Sequence, residues 1–311
     1  MLNRLIKGPL SIVCTIVLNI IFVNCICARD THKQVFDKCF SQKYDFICED
    51  KHEFLRKMGI NIEEDLVDFN DLKLMKDKTY GACKGGIYVD KHDNSKVYFL
   101  KQANSFHEIF CSRLMNHIMG TKATPIVKIV KNKKRTTASL KLPNFTMTLK
   151  ADLTNKRIKG EVLLAVAMDF LGLIDRHSRN NGYVTLNDNT VLAARVDFDA
   201  CFDYESTVTG THQGIAKKRD HMDLKHLYVT MQTYPKDQVE DAIKQIVKIP
   251  DEKIVMIAFQ TWAILSESKS PRSFKTCMKL AKKLIERKKA FKSVLKKSRK
   301  NNHDQSAVMF H

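Results

Sequence analysis

The 311-residue chain carries 53 basic and 34 acidic side chains, a formal net charge of +19 at neutral pH. Its 44% hydrophobic content excludes a generally disordered chain, and this length can bury a core divided into one or two lobes. The positive excess favours acidic partners such as phosphates, anionic lipid or nucleic acid, without choosing among them.

The N-terminus begins with Arg4 and Lys7, followed by a mostly apolar run from about Leu10 to Cys27 and then Arg29-Asp30. That is the pattern of a secretory signal peptide, and the run is almost long enough to span a bilayer. Segment 1–28 is therefore expected to make the protein secreted, or membrane-anchored if it is not cleaved. Three of the nine cysteines (Cys14, Cys25, Cys27) lie in or beside this run. Cys39 and Cys48 could close a small loop after export, whereas Cys83, Cys111, Cys201 and Cys277 are scattered and read as buried thiols. No CxxC pair points to structural zinc.

Residues 31–75 read as mixed and helical, with apolar anchors at Phe46-Ile47, Phe54-Leu55 and Leu66-Val67. Gly81-Ala82-Cys83-Lys84-Gly85-Gly86 marks a tight turn before two strands, over 87–89 and 97–100, joined through Asp93-Asn94-Ser95. A helix is expected from Ser105 to Met119, with Gly120 as its stop. Strands over 126–130 and 138–142 flank a basic turn, 131–135. Beyond 150 the pattern changes. Residues 161–170 have the apolar density of a buried helix ended by Gly172, and 183–186 and 191–196 read as paired strands. Helices are expected over 239–247, 251–266 and 274–295.

Asp175-Arg176-His177-Ser178-Arg179-Asn180, followed after a hairpin by Asp197-Phe198-Asp199, is what metal-assisted phosphoryl transfer requires. One carboxylate must orient a hydroxyl, while an amide oxygen and a second carboxylate hold Mg²⁺ against phosphates. Gly81, Gly85 and Gly86 would let phosphates approach backbone N–H groups, although a plain hairpin turn explains them as well. Alternation groups Val97, Phe99 and Lys101 on one face, read as the inward one. A lysine placed there calls for phosphate or carboxylate. Glu108 either pairs with Lys101 or closes a capping box onto Ser105. His177 either assists phosphate stabilisation or donates a structural hydrogen bond.

The Asp-Arg-His-x-x-Asn segment resembles the catalytic loop of phosphoinositide 3- and 4-kinases, and the related segment of HipA-type serine/threonine kinases. Asp197-Phe198 resembles the start of the metal-binding Asp-Phe-Gly motif, with Asp199 in place of the glycine. The resemblance implies an α+β, atypical bilobal protein-kinase-like fold with a small strand-rich N-lobe and a mainly helical C-lobe. It implies ATP with Mg²⁺, or Mn²⁺ as the alternative ion. Carried over by residue, Asp175 would be catalytic, Asn180 and Asp197 would hold metal, and Lys101 would contact phosphate with support from Glu108. Asp199 would assist the metal or bind a backbone group. The expected domains are segment 1–28, an N-terminal region with a nucleotide-binding lobe over 29–150, a helical catalytic lobe over 151–300 and a tail over 301–311.

The expected activity moves the γ-phosphoryl of MgATP to a protein Ser/Thr hydroxyl, favoured over a lipid hydroxyl because small size fits HipA-like kinases better. The alternative is a degenerate kinase-like effector or adaptor. An acidic protein, an anionic lipid and a membrane surface are the candidate partners of the basic patches, and oligomeric state is left open. Nucleic acid is disfavoured because no aromatic platform is interleaved with those patches. A metal-dependent phosphohydrolase built on Asp220-His221 with His177, His212 and His226 lacks a regular ligand spacing.

Overall fold

The computed structural model describes residues 61, 63–78, 84–102, 105–131, 133, 135–173, 176–187, 189–198, 224–266 and 274–308. Its strands are β1 (Leu66–Asp68), β2 (Leu72–Asp77), β3 (Gly85–Asp90), β4 (Val97–Gln102), β5 (Val127–Lys131), β6 (Thr136–Leu140), β7 (Phe145–Met147), β8 (Arg157–Lys159), β9 (Asn181–Asn187) and β10 (Thr190–Arg195). The helices are α1 (Ser105–Met119), α2 (Glu161–Phe170), α3 (Lys225–Thr233), α4 (Lys236–Val247), α5 (Asp251–Ser266) and α6 (Phe274–Val308).

Strands β1 to β6 form one sheet in the order β1-β5-β6-β4-β3-β2, and a smaller sheet runs β7-β9-β10-β8. The larger sheet buries Val67, Leu72, Tyr98, Leu100, Val130 and Ala138 together. Tyr98 and Leu100 are thus the core-facing residues of β4. The expectation that Val97, Phe99 and Lys101 face inward is corrected: Phe99 is 44% exposed, and its face borders a cleft. The alternation is as read, but the opposite face carries the core.

Helix α1 buries Phe106, Ile109, Phe110 and Leu114 along one side, and Phe106 stacks on Phe110 at 5.3 Å. It stops where Gly120 takes φ +84 and its N–H bonds to the Asn116 carbonyl at 3.0 Å. A left-handed residue just past a helix is the usual glycine-borne ending. Helix α2 is nearly all apolar and packs against α3, α4, α6 and β10. Helix α6 buries Cys277, Leu280, Leu284, Phe291 and Leu295 and leaves Lys275, Lys279, Lys289 and Lys296 exposed. The lysine-rich helix is therefore packed by an apolar stripe, with these lysines in solvent.

Phe291 of α6 meets Phe170 of α2 edge-on at 5.7 Å, and both rings are fully buried. Replacing Phe291 with Ala removes this contact and opens a cavity, at a cost of about 3–5 kcal/mol. The urea midpoint should fall with an unchanged slope; a midpoint within error of wild type would refute the contact's importance.

Strands dominate up to Met147 and helices after Lys225, so the fold is α+β, with a strand-rich lobe followed by a mainly helical one. The α+β class and this order of lobes are as expected above. Two expectations fail. The described part of 31–75 holds no α-helix: besides single 3-10 turns at Glu63–Asp65 and Phe69–Asp71 it is strand, with β1 parallel to β5 and β2 antiparallel to β3. Those pairings come from residues distant in sequence or beyond a turn, and they override weak local preference.

The expectation of a secreted or membrane-anchored protein finds no support among the described residues. No helix among the described residues is long and apolar enough to cross a membrane. A span needs about 20 apolar residues; α5 has 16 residues, and the 35-residue α6 is interrupted by lysines throughout. The apolar N-terminal run itself lies outside the described residues. Cys111 and Cys277 are buried thiols, while Cys39, Cys48, Cys83 and Cys201 lie outside the described residues.

Candidate active site

Antiparallel pairing of β3 with β4 sets Gly85 opposite Lys101 and Gly86 opposite Leu100. Gly85 and Gly86 therefore belong to a strand rather than to the turn expected from sequence. A Cβ on Gly85 would sit 2.0 Å from the Leu100 carbonyl oxygen, so close strand approach requires glycine there. Gly86 borders the cleft, and a Cβ there would meet Leu74, Tyr88 and the Lys76 carbonyl at 3.0 Å.

Lys101 closes β4 with its side chain 11% exposed. Its Nζ lies 2.7 Å from Glu108 Oε2 and 2.6 Å from Asp197 Oδ1. Glu108, one turn into α1, is fully buried, and its Oε2 also accepts the Phe198 N–H at 3.2 Å. The pairing with Lys101 is thus formed in the structure. One carboxylate ties together β4, α1 and the segment after β10. Removing three charged groups from water is costly unless they satisfy one another. Two carboxylates around one ammonium leave a net negative charge, and Asp197 remains partly open to the cleft.

The cleft is a cavity of about 710 Å³ between the two lobes, within the ordinary range for small-molecule sites. Ile87, Phe99, Leu142, Phe145, Met147 and Val196 give it apolar walls. Lys101, Asn180 and Asp197 stand together in its lining. Lys76, Lys78, Lys141, Lys150 and Arg179 add positive charge around them, against Asp77 as the other lining carboxylate. An anionic ligand with an apolar portion matches such a cavity.

Asn180 is held by its backbone. Its N–H donates to the His177 carbonyl at 2.9 Å, and its own carbonyl accepts the Val196 N–H at 2.9 Å. The loop is thereby stapled to the residue before Asp197. His177 is exposed and does not line the cavity; its Nδ1 accepts the Arg179 N–H at 3.2 Å. The structure therefore brings together Lys101, Glu108, Asn180, Asp197 and Gly86, with Gly85 alongside. Gly81, Asp175 and Asp199 lie outside the described residues, as do Asp220, His221 and His212 of the phosphohydrolase alternative.

Among the described residues no group of three or more His, Cys, Asp and Glu side chains is placed to hold a metal. Asn180 and Asp197, an amide and a carboxylate, both line the cavity. That small set of hard donors fits Mg²⁺, which keeps several waters and takes its other ligands from phosphates.

Sequence reasoning missed three supporting residues. Arg195 is fully buried and donates from Nη1 to Asn181 Oδ1 at 2.9 Å, and Asn181 Nδ2 donates to the Arg176 carbonyl at 3.3 Å. The third, Asp169, receives the Arg176 guanidinium. A charged residue inside an apolar run, as at Asp169 and Arg195, was the available signal.

No protein-family model matches the chain, and no curated protein matches it. Among solved structures it is similar to the crystal structure of a Helicobacter pylori proinflammatory kinase, CtkA. Identity is 16%, with 74% of this chain and 96% of that chain covered, at a TM-score of 0.46. A TM-score of that size decides nothing by itself; the architecture rests on the strand order, the lobes and the ion pairs described above.

Proposed function

We propose that the protein is a MgATP-dependent phosphotransferase acting on a protein Ser/Thr hydroxyl, with a lipid hydroxyl as the less favoured acceptor. The observation that carries this reading is Lys101 held between buried Glu108 and Asp197 in the wall of the inter-lobe cavity. A lysine fixed by a helix carboxylate, beside a second carboxylate and an amide, is the equipment that phosphoryl transfer uses.

Lys101 contacts the phosphates, and Glu108 keeps its ammonium aimed. The apolar walls take the base of the nucleotide and exclude water. Asn180 and Asp197 would hold Mg²⁺, or Mn²⁺ in its place, which would supply positive charge against the phosphates. Asp175 orients the acceptor hydroxyl and accepts its proton as the oxygen bonds to the γ-phosphorus, while the bond from that phosphorus to the β–γ bridging oxygen breaks and ADP leaves. The basic residues lining the cavity favour an acidic stretch around the acceptor.

Calorimetry of the full chain with MgATP tests this without knowledge of the acceptor. Binding is expected, and Lys101→Met should weaken it roughly 10- to 100-fold, the worth of a charge-assisted hydrogen bond. A folded preparation that binds no MgATP overturns the proposal. Tight binding with no transfer to any protein, lipid or water acceptor would assign the chain as a degenerate kinase-like effector instead.

A further inference from the structure

Asp169 is the penultimate residue of α2 and is 1% exposed within the buried run Leu164 to Phe170. An ionised carboxylate in such a place must be paired and hydrogen-bonded or it destabilises the fold. Its Oδ1 receives the Arg176 guanidinium, and its Oδ2 accepts the Thr230 hydroxyl of α3 at 2.7 Å. Its backbone carbonyl accepts two bonds from Arg287 of α6, Nε at 3.0 Å and Nη2 at 2.8 Å. Arg287 is itself 3% exposed.

Local geometry explains how Arg176 returns to a residue seven positions earlier. Gly172 has φ +62, its N–H bonds to the Asp169 carbonyl at 3.1 Å, and the Leu173 N–H bonds to the Met168 carbonyl at 2.9 Å. That paired pattern is a Schellman ending, which reverses the chain over the last turn of the helix. The carboxylate thus lies under the start of the loop. On the other side the Arg176 carbonyl is held by Asn181, and Asn181 by Arg195.

We propose that Asp169 is a positioning residue, which with Arg287 from the last helix clamps Arg176 and so sets the loop that presents Asn180 to the cavity. It touches no cavity-lining group itself and acts through Arg176. Its catalytic consequence rests on the phosphotransferase reading; its structural consequence does not. An aspartate that merely filled space in α2 would affect every region of the lobe alike.

The test is amide hydrogen exchange on the full chain, comparing wild type with Asp169→Asn, Arg176→Lys and Thr230→Val. Asp169→Asn is expected to speed exchange at the Arg179 and Asn180 amides roughly 10- to 100-fold, while the β3–β4 amides stay unchanged. Arg176→Lys, which keeps the charge but loses the fork, should give a smaller rise. Should Asp169→Asn fail to fold, Thr230→Val removes one bond to Oδ2 and is expected to raise loop exchange several-fold. Unchanged loop exchange, or a uniform rise across all protected amides, overturns the proposal. In transfer assays Asp169→Asn should lower kcat about 100-fold and weaken MgATP binding several-fold, because the loosened loop carries Asn180. Wild-type kcat in the folded variant overturns the catalytic consequence. A wild type that binds no MgATP overturns the phosphotransferase reading alone, because the exchange result is read independently.

Discussion

Asp197→Asn is expected to reduce phosphoryl transfer by roughly 1,000-fold, the scale of losing a preorganised electrostatic group at a reacting centre. The substitution keeps the shape of the side chain and removes its charge. Two effects act together. Asn180 is left as the described cavity-lining partner for Mg²⁺, so metal-dependent nucleotide affinity should fall. Lys101, now 2.6 Å from a neutral amide oxygen or nitrogen instead of a carboxylate, shifts its attraction wholly toward Glu108. Calorimetry with and without Mg²⁺ separates these. Wild type should gain affinity on adding the ion, and Asp197→Asn should gain little. An equal gain in both proteins would move the metal away from Asp197 and sink the site assignment.

Gly85→Ala should destabilise the strand-rich lobe by about 3 kcal/mol or more, the upper range for overpacking at a site that cannot yield. The new Cβ would stand 2.0 Å from the Leu100 oxygen and 3.1 Å from the Lys101 Cα, both backbone atoms of the paired strand. Neither can move without parting β3 from β4 beside Lys101. A useful contrast is Gly120→Ala, where no atom lies within 4 Å but φ is +84. There the cost is backbone strain alone, about 1–2 kcal/mol. Urea unfolding of both variants checks the pair. Similar midpoints for Gly85→Ala and wild type would show that β3 and β4 can part there at little cost.

Elements with local punctuation were legible from sequence. The helix from Ser105 to Met119 with its Gly120 stop, and the helix over 251–266, have the bounds expected for them. Strands β1 and β2 were not legible. The first has three residues and is fixed by parallel pairing with 129–131, while the second is exposed along all but one residue and shows no alternation. For Lys101 the alternation was readable but the choice of face was not, since that depends on which side the rest of the sheet buries. Glu108 had two competing local explanations, and only tertiary placement sets it against Lys101. Asp169 was passed over because an acid near a helix end looks solvated. Its burial is created by Thr230 and Arg287, which are 61 and 118 residues away in sequence.

Those separations bear on how the protein is made. The β3–β4 hairpin and α1 are contiguous, so the pairing of Lys101 with Glu108 is available soon after they are synthesised. Asp197 comes 96 residues after Lys101, and the arginine that grips the Asp169 carbonyl comes 118 residues after that carbonyl. At cellular elongation rates the stretch from Asp197 to Arg287 takes on the order of ten seconds to translate. Throughout that interval a nascent chain lacks the last helix, whose Arg287 grips the Asp169 carbonyl. The anchorage beneath the Arg176 loop is therefore completed only once α6 has emerged and docked.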